Sequence, residues 1–227
     1  MLQDRLNDAA IALHRALSRA NIRFGIFGGY AIGVLGGARE SKDIDCIASI
    51  SKQQVVSILD GHDGFAAIPQ ARQDYVAFVW SDRPDRGNGV LVEIFCDQFT
   101  GARYTMKDVQ PFVRVINGQR LGSGQACFLD PFYLFKGKLR AAATRSKFHD
   151  SAELRWLGAR FGDAIQARKN ELDLQYIGLA IKRYPELELL FERLGFDLAR
   201  AKDVTRDLDL SRLPPPAPGD VQRGLLG

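Results

Sequence analysis

The stretch Phe24-Gly25-Ile26-Phe27-Gly28-Gly29-Tyr30-Ala31, followed ten residues after Gly29 by Arg39-Glu40-Ser41-Lys42-Asp43-Ile44-Asp45, joins a phosphate-friendly turn to a pair of carboxylates. Phe24 to Phe27 is a short apolar run interrupted and then closed by glycine, the pattern of a buried strand. Gly28-Gly29 then reverses the chain. Two adjacent glycines allow positive φ and leave no Cβ in the way of a ligand, and Tyr30 to Leu35 can open a helix. Exposed N–H groups at such a helix start favour phosphate oxygens. Ile44 and Cys46 to Ile50 form a second apolar segment. Residues two apart on a strand share a face, so Asp43 and Asp45 point the same way, ~6.6 Å apart along the strand. At an effective dielectric near 20 two such charges repel by roughly 2–3 kcal/mol, which a divalent cation would turn into attraction. Magnesium suits the pair, since it takes one or two carboxylates plus substrate phosphates.

Each half of this constellation has a plainer reading, a turn for Gly-Gly and a solvated strand end for Asp-x-Asp, and it is their combination that points to chemistry. Two rival phosphate-binding patterns fail on the letters. The dinucleotide fingerprint needs glycine at three set positions, yet its register reads Gly28, Tyr30, Gly33 from the first start and Gly25, Phe27, Tyr30 from the other. No Gly-x-x-x-x-Gly-Lys-Ser/Thr loop occurs either.

The block Phe27-Gly28-Gly29-Tyr30-Ala31-Ile32 with Arg39-x-Ser41-x-Asp43-Ile44-Asp45 resembles the signature of the polymerase-β-like nucleotidyltransferase superfamily, and within it the AbiEii/AbiGii toxin-related branch. A second block, Lys138-Leu139-Arg140-Ala141, then Arg145-x-Lys147-x-x-Asp150 and Leu154, resembles the downstream helix pair of that branch. The resemblance implies an α+β fold: a nucleotidyltransferase-type mixed β-sheet core flanked by helices, followed by a C-terminal helical lobe. It also implies two metal-binding carboxylates after the glycine turn, Asp43 and Asp45, and commonly a third from a later strand.

The best strand in the chain is Val90-Leu91-Val92-Glu93-Ile94-Phe95-Cys96-Asp97, where period two puts Glu93, Phe95 and Asp97 on one face. Glu93 is the expected third carboxylate: it sits inside an apolar run, where an unpaired charge is costly to bury, whereas Asp97 ends the strand where water is near. The plainer reading of Glu93 is a salt-bridged edge-strand residue, and the superfamily usually has aspartate there. The activity implied is transfer of a nucleoside monophosphate from an NTP to an acceptor hydroxyl with release of pyrophosphate, assisted by Mg2+ or Mn2+, with Asp43, Asp45 and Glu93 as metal ligands and Glu93 also as general base. Gly28 and Gly29 would bind nucleotide, Arg39 would pair with the carboxylates or touch phosphate, and Ser41 would bond a phosphate oxygen or orient Asp43. Lys138, Arg145 and Lys147 are phosphate clamps in this reading; the first two, seven apart, share a helix face about 10 Å apart. Asp150 either holds those basic residues in place or caps a helix before Ser151.

The 227 residues, 46% hydrophobic and 26% charged, are enough for a sizeable core. With no apolar run near 18 residues and no signal-peptide pattern, a cytoplasmic protein without membrane contact is expected. Cys46, Cys96 and Cys127 are an odd, scattered set in apolar surroundings and read as reduced core residues. His14, His62 and His149 lack zinc spacing. The net charge of +4 is uneven: residues 103–160 hold eleven Lys/Arg against four Asp/Glu. That charge suits a triphosphate or RNA, putting RNA or tRNA modestly ahead of a small molecule or a protein hydroxyl as acceptor. The toxin-related branch would add an antitoxin-like partner. The alternative class is a catalytically inactive nucleotide- or RNA-binding regulatory module on the same fold.

Periodicity divides the chain into a core over 1–129, a helical lobe over 130–212 that completes the nucleotide and acceptor site, and a tail over 213–227. Leu2, Leu6, Ala10, Leu13 and Leu17 predict an amphipathic first helix. Ser51 caps a helix to Leu59; strands follow at Tyr75 to Trp80 and Val90 to Cys96, then a hairpin of Val113 to Ile116 and Ala126 to Leu129 turning at Asn117-Gly118. Beyond Pro131 the pattern predicts helices at Tyr133 to Arg145, Asp150 to Phe161, Gly162 to Lys169, Leu172 to Arg183 and Pro185 to Leu194. Leu213-Pro214-Pro215-Pro216-Ala217-Pro218-Gly219 opens a tail read as extended or disordered.

Overall fold

Helix α1 (Gln3–Arg19) buries Leu6, Ala10, Leu13 and Leu17, the face that their spacing predicts; Leu2, the first member of that pattern, lies outside residues 3–227, which are those the computed structural model describes. The chain then forms β1 (Phe24–Phe27) and, without a linker, α2 (Gly28–Val34). Next come β2 (Asp43–Ser51) and α3 (Lys52–Leu59), whose start is fixed by a capping box between Ser51 and Gln54, a device worth about 1 kcal/mol. β3 (Phe65–Ile68), β4 (Tyr75–Trp80), β5 (Val90–Gln98), β6 (Phe112–Asn117) and β7 (Ser123–Phe128) complete the strands described.

These strands make one sheet in the order β3-β4-β5-β2-β1-β7-β6. It is mixed: β2 runs parallel to β5 and β1 parallel to β7, while the other neighbours are antiparallel. The α+β class expected from the sequence is therefore observed. On β2, β4 and β5 the buried set Ile44, Cys46, Ala48, Val76, Phe78, Trp80, Val90, Val92 and Ile94 alternates with a second set. The first set faces the layer of α1 and α3, with the Arg5 guanidinium of α1 4.6 Å over the Trp80 ring. The opposite face carries Asp43, Asp45 and Glu93.

Long-range polar ties fix α1 against the sheet. Asp8, fully buried, accepts from the backbone N–H of Arg120 at 3.1 Å and of Leu121 at 2.8 Å, and so holds the loop that joins β6 to β7. The Tyr30 hydroxyl donates to Asn7 Oδ1 at 2.8 Å, and Asn7 donates to the Asn117 carbonyl at 2.7 Å, which ties α2 to α1 and β6. All three cysteines are buried and free, with the Cys46 thiol pushed well up by burial.

The chain divides into two compact units at Asp130/Pro131. The second unit packs α4 (Pro131–Thr144) against α5 (Phe148–Ala167) and α6 (Leu174–Arg183), followed by α7 (Glu188–Arg193) and α8 (Leu198–Asp203). Two helices expected at 150–161 and 162–169 are here a single α5 with one non-helical residue, Phe161 (φ −125°, ψ 24°), at the predicted break. The tail departs from its expectation. Pro218–Leu226 belongs to the first unit, and helix α9 (Asp220–Leu226) packs on β5. The prolines end at Pro218, and beyond them Gln222, 1% exposed, donates to the carbonyls of Asp74 (3.0 Å) and Cys96 (2.8 Å). The Gly219 N–H also reaches Asp74 Oδ2 at 2.8 Å. These buried partners order a segment that composition alone marks as extended.

Candidate active site

Register decides where the carboxylates fall. In the parallel β2/β5 pair Asp45 stands opposite Glu93 and Asp43 opposite Leu91. Paired Cα atoms on neighbouring strands lie ~4.8 Å apart, so Asp45 and Glu93 project side by side, with Asp43 one step along the same face. All three are partly exposed. On the other flank of β2, Phe27 pairs with Asp45, so the turn at Gly28 begins beside that carboxylate.

The glycines fit this proximity. Gly28 has φ +75°, and a Cβ added there would collide with the Asp45 carboxylate. A Cβ on Gly29 would lie 3.0 Å from Arg39 Nη1 and 3.3 Å from Ser41 Oγ. Gly28, Gly29, Arg39, Ser41 and Asp45 thus form one neighbourhood, as the sequence block suggests. Ser41, 2% exposed, donates to Asp43 Oδ1 at 3.0 Å, the orienting role among its two expected ones. No side chain caps the first turn of α2 at its N-cap, Phe27.

The two carboxylates of β5 meet different surroundings. Glu93 Oε1 accepts from the Tyr75 hydroxyl at 2.5 Å, across the antiparallel β4/β5 pair in which Ala77 faces Glu93. Burial, and then the bond to Glu93, push the Tyr75 phenol well above its usual range, so it remains a donor. Its ring packs 5.2 Å from that of Phe95. Asp97 is 1% exposed and accepts the Met106 N–H at 2.8 Å; burial pushes its carboxyl up. It lies four residues beyond Glu93, ~13 Å along the strand, and serves the loop after β5. Tyr75 had no signal of its own in the sequence, because its place beside Glu93 depends on the β4/β5 register.

Among the described residues no three His, Cys, Asp or Glu side chains converge closely enough to hold a metal ion by themselves. The Asp43/Asp45 pair nevertheless fits magnesium or manganese: two carboxylates on one face, beside a turn stripped of Cβ atoms, leave the remaining positions to substrate phosphate oxygens. Glu93 is tied to Tyr75 and stands next to that pair.

In the second unit Asp150 is fully buried and gathers two of the three basic residues expected around it, Lys138 and Arg145. Arg145 clasps it with two bonds, Nε to Oδ2 at 2.8 Å and Nη2 to Oδ1 at 3.0 Å, while Lys138 Nζ lies 3.3 Å from Oδ1 and 2.5 Å from Glu153 Oε2. Burial would raise the Asp150 carboxyl; Arg145 and Lys138 outweigh it and hold it below the usual carboxylate range. Two expectations change. Lys138 and Arg145 do not sit two turns apart on one helix face, since Arg145 follows the end of α4 and both reach the same oxygen. Asp150 does not cap a helix, because Lys147 is the N-cap of α5 and Asp150 lies inside its first turn. Lys138, with only 7% of its side chain exposed, is committed to two carboxylates, whereas Lys147 is exposed.

Comparison with solved structures finds an antigenic nucleotidyltransferase-like protein from Paracoccidioides brasiliensis similar over 84% of this chain and 93% of its own, with a TM-score of 0.55 and 17% identity. The chain has the nucleotidyltransferase fold. Looser likenesses, with TM-scores of 0.43 and 0.44, are to the lincosamide antibiotic adenylyltransferase LnuA (12% identity, 64% of this chain and 91% of that one) and to the antibiotic-resistance factor ANT(2'')-Ia (14%, 82% and 97%). No family model and no curated protein matches the sequence. No described helix is long and apolar enough to cross a membrane.

Proposed function

We propose that the chain is a nucleotidyltransferase that moves a nucleoside monophosphate from an NTP to an acceptor hydroxyl and releases pyrophosphate. The observation that carries this reading is the β2/β5 register, which sets Asp45 beside Glu93 and next to Gly28 on the face that also bears Asp43. At Asp43 and Asp45 a magnesium or manganese ion would supply charge neutralisation on the triphosphate and on the leaving pyrophosphate. Ser41 holds Asp43 in place for that task. Gly28 and Gly29 let phosphate oxygens approach the backbone, with Arg39 beside them as a cation. Glu93 takes the proton of the acceptor hydroxyl as its oxygen bonds the α-phosphorus and the bond to pyrophosphate breaks, while Tyr75 fixes the carboxylate's orientation.

In the second unit Lys138 and Arg145 hold Asp150, and the partly exposed Arg145 and exposed Lys147 are its cations suited to phosphate in this reading. The two sequence blocks favour the AbiEii/AbiGii-related branch, which would bring an antitoxin-like partner, and the basic segment 103–160 favours RNA or tRNA as acceptor. A nucleotide-binding module without turnover is the second reading, favoured by the Tyr75 hydroxyl that already occupies a Glu93 oxygen. Purified protein given each labelled NTP, magnesium or manganese, and RNA, protein or small hydroxyl compounds should release pyrophosphate. Nucleotide binding without release from any acceptor would favour the second reading.

A further inference from the structure

On the face of the sheet opposite Asp43, Asp45 and Glu93, a cleft of about 530 Å³ opens between the C-terminal half of α1, the turn before β3 and the loop joining β4 to β5. Trp80 and Phe65 line its floor and four arginines its walls: Arg15, Arg19, Arg83 and Arg86. Trp80 and Ala77 differ by an odd number of positions on β4, and Ala77 is the partner of Glu93, so the cleft and the carboxylates use opposite faces. The size is that of a small-molecule site.

The acids in this cleft are already engaged. Asp63 pairs with Arg19 at 3.2 Å. Asp82 is shared by Arg5 at 2.6 Å and Arg120 at 3.1 Å, and although burial opposes it, these guanidiniums keep its carboxyl low and charged. Arg15, Arg83 and Arg86 have no acidic partner among the described residues, and all three are exposed. Arginine side chains stay protonated throughout the physiological range, so the cleft is a standing positive field.

Its loops are also fixed before any ligand arrives. The Ser81 hydroxyl accepts the Arg83 N–H at 3.2 Å and donates to the Gly87 carbonyl at 3.0 Å, and the Arg86 N–H bonds the Arg83 carbonyl at 3.0 Å. The turn before β3 is sewn to β4 by Ser81 N–H to Gly64 O and by the Trp80 indole to Asp63 O, each at 3.0 Å. Arg86 itself is left-handed, at φ 54°, a conformation rare for a side chain of its size, and one that the loop imposes while presenting its guanidinium.

We propose that this cleft binds a small ligand carrying two or more linked phosphate groups, with Arg83 and Arg86 as its bidentate contacts and Arg15 as a third cation. This site is separate from the proposed catalytic one and does not depend on that assignment. The test is calorimetric titration of the full chain with inorganic triphosphate in EDTA, which suppresses metal-dependent binding at Asp43 and Asp45. The wild type should bind, more weakly as salt is added; Arg83→Ala/Arg86→Ala should weaken binding by roughly tenfold or more; Asp45→Asn should leave it unchanged. Both arginines are exposed, and matched melting curves establish that the double variant is folded. ATP and triphosphate binding alike supports recognition of the phosphate chain from either source. No binding by the wild type, equal affinity in the double variant, loss in Asp45→Asn, or binding of an RNA oligonucleotide but not of triphosphate would each overturn the proposal.

Discussion

Glu93 and Asp97 stand four residues apart on one strand, and their surroundings separate their roles. Glu93 is partly exposed, beside Asp45 and held by Tyr75, whereas Asp97 is buried under the loop that contains Met106. Glu93→Gln should therefore lower kcat by on the order of 10²-fold while Asp97→Asn, which keeps an acceptor for the Met106 amide, costs far less; steady-state pyrophosphate assays decide, and the reverse order would move the role to Asp97. In the second unit, Asp150→Ala removes one of the two carboxylates that hold buried Lys138, and because Glu153 still pairs with that ammonium the change should destabilise by about 1–3 kcal/mol in urea unfolding. The sign of its pH dependence follows from a folded-state carboxyl held below its unfolded value of about 3.9. Its contribution is present above that pH and is lost as pH falls through the folded value. Acid unfolding profiles of wild type and Asp150→Asn should converge at the acid end and diverge toward neutrality.

At the scale of elements, much was written in local pattern. β1, α2 and β2 follow directly from an apolar run, a glycine pair and a period-two segment, and α3 from Ser51 and Gln54. β3 has no signal in the sequence, since its four residues, half of them alanine, carry little strand preference, and it exists by pairing with β4 from Phe65↔Trp80 to Ile68↔Ala77. The nearness of Asp45 to Glu93 was expected only through resemblance: no periodicity sets the register of parallel strands nearly fifty residues apart. Asp8 with the Arg120 loop, and Gln222 with Asp74 and Cys96, are likewise contacts between distant segments, invisible to any window of sequence. Two predictions belong here. Gly28→Ala places a Cβ at φ +75° against the Asp45 carboxylate, so it should cost about 1–3 kcal/mol in urea unfolding and suppress turnover as well. Deleting residues 218–227 should destabilise the first unit by about 1–3 kcal/mol, because the Cys96 carbonyl loses the Gln222 amide while the Asp74 carbonyl keeps the Cys96 N–H, read as a lower unfolding midpoint.

For the molecule as a whole, a mixed sheet supplies a base on which two aspartates of one strand and a glutamate of its parallel neighbour share a face beside a glycine turn, and a separate helical unit carries the Arg145/Lys138/Asp150 cluster. The fold is shared with a nucleotidyltransferase-like protein, while the reaction is an inference from the carboxylates and their setting. If the rate depends on charge held at Asp43 and Asp45, then changing one carboxylate to its neutral isostere should leave the fold intact and remove turnover. The most direct measurement is pyrophosphate release from labelled NTP with magnesium or manganese, comparing wild type with Asp45→Asn of matched melting temperature. The wild type should release pyrophosphate and the variant should release it at least roughly 10²–10³-fold more slowly; release that continues unchanged in Asp45→Asn would show that the carboxylate pair does not carry the reaction.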